Sequence, residues 1–420
     1  MIKHILKIIW NQRRSNGWIF AELLVVVGIL WVMMDSLLVD KYTYYQPLGF
    51  NIDNVYKVQL GVIMPGTPGH VEDSLVTTRK GEDVLRLVGN IRQEEKVEEA
   101  SLSLVGCVYT ERRAWSTLYR ADADTFIKAG FRQSTVTPEY FTVLRMRDKE
   151  GKELAPLIGQ QAGCVISEDM EREFYGEKGS ARGLAIKFHP KNTDEMPVLA
   201  VSGSVRESEY KEKLPFFYLI PTREQLLREI EENQPQSVDC LIRMKPGFRA
   251  EDMEAFLQGM GDRLRVNNVY VSSVVPLSEM RSQILKSRED NMKKKTALVG
   301  FMLINVFFGI IGTFWLRTQA RQGEMGLRIA LGSNRSQLSR LMNLEGLVLL
   351  GLTIPFLLVF ILNMLYFELP DTVRLPYTWW RFAVTFGGAY LLMGGMICLG
   401  IWFPIRETRQ MEPAEALHYE

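Results

Sequence analysis

The chain has 420 residues, 47% of them hydrophobic, with 50 Lys and Arg against 49 Asp and Glu and a formal net charge of +1. That balance offers no electrostatic case for nucleic acid, and no basic stretch interleaved with aromatics supplies one. A mean hydropathy of -0.03 would suit a soluble protein of two or three domains, but the apolar residues gather at the two ends of the chain, which removes it from that class.

Residues 1–16 read as a short amphipathic segment with Lys3, Lys7, Arg13 and Arg14. The first apolar run, Gly17–Val39, carries Glu22 near its start and Asp35 near its end. It is too long for the apolar core of a cleavable signal peptide, and no small-x-small site follows it, so 17–39 reads as a membrane span. Glu22 is expected to snorkel to the interface or to find a local partner.

Residues 40–280 have the mixed texture of an α+β domain. Val55–Ile63 alternates like a half-buried strand, and Gly81–Ala100 reads as a charged amphipathic helix with Val84, Leu87, Val88 and Ile91 on one face. Strands are expected at Ser101–Tyr109, Leu184–Phe188, Pro197–Val205 and Val238–Met244. Helices are expected at Glu168–Phe174, capped by Ser167 and stopped by Gly176, at Arg223–Glu231, capped by Thr222, and at Ala250–Leu264. About 135–190 differs in texture and reads as an inserted subdomain. His70 and His189 lie far apart without a Ser or Cys partner, and no catalytic or metal-ligating constellation emerges. Cys107, Cys164 and Cys240 fall in this region; one disulfide plus a free thiol, or three buried thiols, both fit.

Residues 281–295 are charged and helix-prone, the pattern of a stiff stalk leading into the second span. Thr296–Leu316, Gly346–Phe367 and Phe382–Ile405 carry no charge. At 1.5 Å rise per residue each reaches about 30 Å, the thickness of a hydrocarbon core. With their flanks these are spans at 296–316, 344–367 and 379–405, separated by 317–343 and by a short loop at 368–378, with a tail at 406–420. Pro355 is positioned to kink the third span, and Glu345 is expected at the membrane surface. Gly300, Gly309, Gly312, Gly387, Gly388, Gly394, Gly395 and Gly400 offer close helix approach. Arg317, Arg321, Arg328, Arg335 and Arg340, with the basic residues of both tails, place the termini and 317–343 on the cytoplasmic side. Lys293, Lys294 and Lys295 violate that bias locally. The fold class is an α-helical membrane protein with four transmembrane helices plus a large α+β extracytoplasmic domain inserted between helices 1 and 2.

Five segments carry a resemblance: VTPEYFTVL (136–144), VISEDMEREFYG (165–176), VLAVSGSVRES (198–208), ARQGEMGLRIALGSNRSQL (320–338) and RQMEPAEALHYE (409–420). In this order, with these spans between them, the chain resembles the permeases of the MacB/FtsX family of ABC transporters, the type VII or mechanotransmission class, with a MacB-like periplasmic core domain. Ser333 and His418 depart from the family pattern. No G-x-x-x-x-G-K-[ST] occurs, so the resemblance implies that this chain binds no cofactor and that ATP and Mg²⁺ belong to a separate cytoplasmic ATPase subunit. It also implies residence in the bacterial cytoplasmic membrane and a second permease copy or paralogue. The size of the external domain suits docking of a periplasmic adaptor and an outer-membrane channel.

Within 317–343, Glu324 and Arg328 form a favourably oriented i,i+4 pair, Met325 and Ile329 share a stripe, and Gly332 stops the helix before it restarts near Arg335. An interfacial helix on anionic lipid has the same arginines. The resemblance favours a coupling helix that docks on the ATPase, formed by Arg321, Glu324, Met325, Gly326, Arg328, Ala330, Leu331, Gly332 and Ser333. The expected function is a non-catalytic permease subunit that converts ATP hydrolysis in its partner into motion of the external domain. The cargo would be a peptide, a macrolide-like antibiotic or a lipoprotein to be exported or extracted. The alternatives are an FtsX-like subunit that signals to a cell-wall hydrolase and a membrane-anchored sensor without an ATPase.

Overall fold

The computed structural model describes residues 2–11, 13–72, 74–110, 112–121, 130–176, 180–189, 195–320 and 335–408. They divide into two compact units, one of residues 1–44 with 288–420 and one of residues 45–287.

Among the described residues four helices are long and apolar enough to cross a membrane: Asn16–Tyr44, Leu277–Thr313, Arg340–Tyr366 and Trp379–Ile401. In chain order the helices at this end are α1 (Ile2–Asn11) and α2 (Arg13–Tyr44). The 45–287 unit contributes α3 (Lys80–Arg92), α4 (Glu139–Val143), α5 (Ala155–Ile158), α6 (Glu168–Tyr175), α7 (Arg223–Asn233) and α8 (Met253–Met260). Then come α9 (Leu277–Ala320), α10 (Arg335–Leu352), α11 (Ile354–Tyr366) and α12 (Trp379–Thr408). The expected stalk and second span are thus one uninterrupted helix.

The membrane core is built from Leu23, Val27 and Trp31 of α2, Leu349 of α10, Leu357 and Ile361 of α11, and Met393 and Ile397 of α12. Two of the expected glycines permit close crossings. A Cβ on Gly388 would lie 2.5 Å from Met34 Cε, and one on Gly400 would lie 2.8 Å from Ile310 Cγ2. By contrast, nothing lies within 4 Å of a Cβ built on Gly300, Gly312, Gly387 or Gly395. The third apolar helix, Arg340–Tyr366, has a local irregularity two residues before Pro355. Pro355 lacks an N–H, and at Thr353 the backbone keeps right-handed helical dihedrals but its N–H bonds to Leu350 O, three residues back, while its hydroxyl donates to Leu350 O at 2.6 Å and lies 2.9 Å from Tyr390 Oη. Glu345 is buried among the helices.

The 45–287 unit holds one mixed sheet. Its strands are β1 (Val55–Val62), β2 (Val97–Val105), β3 (Ala114–Ser116), β4 (Tyr119–Arg120), β5 (Phe131–Val136) and β6 (Gly163–Ser167). They continue with β7 (Ala185–Lys187), β8 (Met196–Ser202), β9 (Phe216–Ile220), β10 (Asp239–Met244), β11 (Arg265–Val266) and β12 (Val269–Pro276). Among the described residues the order is β11-β12-β1-β10-β2-β5-β9-β6-β8-β7-β4, with β3 on β5. Only β5–β9 and β6–β8 are parallel. Segment 135–190 contributes β6 to this same sheet, where it pairs with β9 and β8.

Several boundaries differ from expectation for local reasons. The helix expected over 81–100 ends at Arg92, because the apolar stripe of Val84, Leu87, Val88 and Ile91 would next need apolar residues where Glu94 and Glu95 stand. Val97 to Ala100 instead join β2, which pairs with β10. The strand ends at Val105 rather than Tyr109, since Gly106 takes φ +77° where a Cβ would lie 2.5 Å from Gln133 O. Residues 250–264 form α8 flanked by two 3₁₀ turns, the break falling at Gly261.

Both expected caps form. Thr222 and Gln225 make a reciprocal capping box on α7. Ser167 Oγ accepts from Met170 N at 3.3 Å to start α6 and from Phe216 N at 3.0 Å on the neighbouring β9. Ser167→Ala strands two buried N–H donors, so a loss of about 1–3 kcal/mol is expected in urea unfolding. An unchanged midpoint would contradict that role.

Candidate functional site

The segment expected to contact an ATPase, Arg321 to Ser333, lies outside the described residues; helix α10 begins at Arg335, where a restart was expected. Two polar clusters, one in each unit, are the remaining candidates.

In the membrane unit, α2 presents Asp35 and Asp40 one and a half turns apart. Arg381, in the first turn of α12, is completely buried. Its guanidinium meets Asp35 in a two-pronged pair, Nε to Oδ1 at 2.8 Å and Nη2 to Oδ2 at 2.6 Å. Its remaining nitrogen donates to Asp371 O at 2.9 Å and to Leu375 O, and its face lies over the Tyr377 ring. Asp40 gathers three cations: Arg374 at 2.6 Å, Lys295 at 3.0 Å and Arg288 at 3.6 Å. Arg374 also holds Asp371 at 2.6 Å. Burial alone would raise the Asp371 carboxyl, but hydrogen bonds from the Arg374 backbone and side chain outweigh it and keep the group below its ordinary range. The network therefore ties the first span to the loop before the last span, to the last span itself and to α9. It also accounts for Lys295, which had looked misplaced by charge bias. Glu22 shows no ion pair among the described residues; its carboxylate is 3.0 Å from where a Gly309 Cβ would stand.

In the 45–287 unit, three of the recognised segments meet in one core. Tyr140 and Phe141, Val165, and Ala200 with Val205 pack together around Tyr218. Beside them sits a charged cluster. Arg206 donates to the backbone carbonyls of Gln46 at 2.7 Å, Pro47 at 3.2 Å and Glu209 at 3.1 Å. Glu209 accepts from Tyr109 Oη at 3.1 Å and from Arg281, while Arg132 faces Glu207 at 2.7 Å. Burial, reinforced by the Glu209 carboxylate, pushes the Tyr109 phenol up. A cavity of about 50 Å³ lies among Arg132, Arg206, Glu207 and Tyr140, room for a water or two. Its chemistry is structural: its hydrogen bonds and ion pairs tie chain segments together.

Arg243 is the other buried cation here. It donates to Val143 O at 2.6 Å, Asp53 O at 2.6 Å and Asn51 O at 2.8 Å. Cys107, Cys164 and Cys240 are free and buried; burial pushes the Cys164 and Cys240 thiols up to about 12, which makes them inert. No group of three or more metal-ligating side chains occurs among the described residues.

Residues 296–413 match the family of FtsX-like permease C-terminal domains. The match takes in the second, third and fourth apolar helices and the arginine-rich connection. With the four membrane-capable helices, this FtsX-like segment fits a membrane permease component. No curated protein matches the chain. Among solved structures, a domain of a permease-designated protein from Porphyromonas gingivalis aligns at 14% identity and TM-score 0.34, over 53% of this chain and 88% of that one. At that score the likeness establishes nothing further.

The sequence missed Arg381, Arg243 and Arg132. Arg381 and Arg243 were visible as lone arginines in apolar runs (WWRFAV, CLIRM), a pattern that marks a buried guanidinium in need of partners.

Proposed function

We propose that the chain is the permease subunit of an ABC-type system of the MacB class, driven by a separate cytoplasmic ATPase. What carries this reading is the FtsX-like match over residues 296–413, together with the coupling pattern within 321–333. In this reading both termini and 317–343 face the cytoplasm and the 45–287 unit lies outside. ATP-driven closure of two ATPase subunits displaces the coupling segments of two permease copies, and helix α9, continuous from Leu277 to Ala320, carries the movement outward. The buried charges support mechanical work over passage of polar cargo: Asp35 is paired with Arg381, and Asp40 with Arg374, where a conduit would keep such groups facing water. Peptides, amphipathic antibiotics and lipoproteins are the cargo classes such a device serves, with an adaptor and outer channel where an outer membrane exists.

The test is recovery of the partner. Tagged full-length chain purified from its native membranes is expected to bring down an ATP-hydrolysing subunit. Glu324→Lys and Gly332→Val should each weaken that recovery about tenfold, the equivalent of about 1.4 kcal/mol. Absence of any ATPase from the wild-type preparation would sink the reading, and so would full recovery with both variants.

A further inference from the structure

Within the membrane unit, helix α9 meets the apolar core along one side. Val299, Leu303, Val306, Phe307 and Ile310 pack with the other spans, while Leu298, Phe301, Asn305, Phe308 and Gly312 are exposed on the opposite side. The exposed five alternate spacings of three and four residues, the a/d pattern of a helix-pairing seam. A Cβ on Gly312 would meet nothing within 4 Å, which leaves that end of the seam open to close approach.

Lipid is a sufficient neighbour for the phenylalanines and the leucine, but not for Asn305. Its carboxamide stands at the middle of the 296–316 span and is exposed. One N–H donates to Phe301 O at 2.8 Å, within the same helix. The amide oxygen and the second N–H have no partner among the described residues, and hydrocarbon offers them none. The seam is also bounded on one side. The next d position beyond Leu298 is Lys294, where like charges brought together would repel.

We propose that this side of α9 packs against α9 of a second copy of this chain, from Leu298 to Gly312, with the two Asn305 carboxamides bonded to each other. Two copies inserted the same way in one membrane are related by a two-fold axis along the bilayer normal, so their α9 helices run parallel and an a-position residue faces itself. A carboxamide suits that symmetry, because it carries both donor and acceptor and pairs with its own copy. A different partner would have to present a polar group at the same depth. At Lys294 the two helices part. The contact rests on the two permease copies of the reading above but needs no ATPase, so its failure and failure to recover an ATPase are separate results.

The test uses the full-length chain carrying Cys398→Ser, so that only the buried native thiols remain. Leu298→Cys and Phe308→Cys, oxidised in membranes with copper phenanthroline, should each give a disulfide-linked homodimer. Leu391→Cys, exposed on α12, should give none. Chains tagged at the C terminus with donor or acceptor fluorophores and diluted into phosphatidylcholine vesicles then report self-association by energy transfer. Asn305→Leu should weaken it about tenfold with the melting temperature unchanged, and Asn305→Gln should keep most of it, which a purely apolar contact would not distinguish. The proposal is overturned by a wild-type chain that stays monomeric in vesicles, by no crosslink from either α9 cysteine, by a Leu391→Cys crosslink as strong as theirs, or by Asn305→Leu associating as tightly as wild type.

Discussion

Arg381→Met is expected to destabilise the membrane unit by about 3–5 kcal/mol, because it leaves the buried Asp35 carboxylate without its partner. Asp35→Leu should cost a similar amount from the other side, stranding a guanidinium that has no access to water. The decisive comparison is the double variant. Two apolar side chains of similar length remove both charges together, and replacing a whole buried pair is often neutral or favourable. The double variant should therefore recover most of the loss, although the carbonyls of Asp371 and Leu375 lose their donor. Melting in detergent should fall by about 10 °C in each single variant and return most of the way in the double. Single variants that melt like the wild type would show that water reaches the pair and that it holds nothing together.

Arg243→Met should have an effect of similar size in the 45–287 unit. Its guanidinium serves acceptors from three places at once: the carbonyl of Val143 at the end of α4, that of Asp53 before β1, and the carbonyl and side chain of Asn51. Burial pulls the guanidinium below its ordinary value, yet arginine remains charged at any physiological pH. Removing it orphans carbonyls that no other donor is placed to reach, at about 1–3 kcal/mol for each group left buried. A loss of about 3–5 kcal/mol is expected, read as a lower urea midpoint for this unit. Arg243→Lys should rescue little, since a single ammonium cannot reproduce the fork. A lysine variant as stable as wild type would mean that charge alone, not the fan of hydrogen bonds, is what the site requires.

What could be read in the sequence follows from how local the determining physics is. The four apolar helices were legible because a hydrocarbon-spanning helix declares itself by some twenty uncharged residues in a row. The caps at Ser167 and Thr222 were legible because donor and acceptor lie three residues apart. Strand β9, FFYLI, gave no alternation because it is buried on both faces, and such a run reads equally as buried helix. The over-long helix at 81–100 came from ignoring that Glu94 and Glu95 close its apolar stripe. The ionic network was not legible at all. Asp35 and Arg381 are 346 residues apart, and Asp40 finds partners on α9 and in the loop before α12. Of the expected coupling residues, Arg321 to Ser333, the described structure carries only the helix that follows.

The Asp35–Arg381 pair also bears on how the chain is made. A carboxylate in the first span and a guanidinium in the last cannot neutralise one another until nearly the whole polypeptide has been synthesised. Until then the membrane holds an acidic helix with an unmet charge, a state that insertion machinery tolerates at a cost of a few kcal/mol. A chain that stops short of residue 381 keeps that charge exposed indefinitely. The pair thus forms only late in synthesis, once both helices are present.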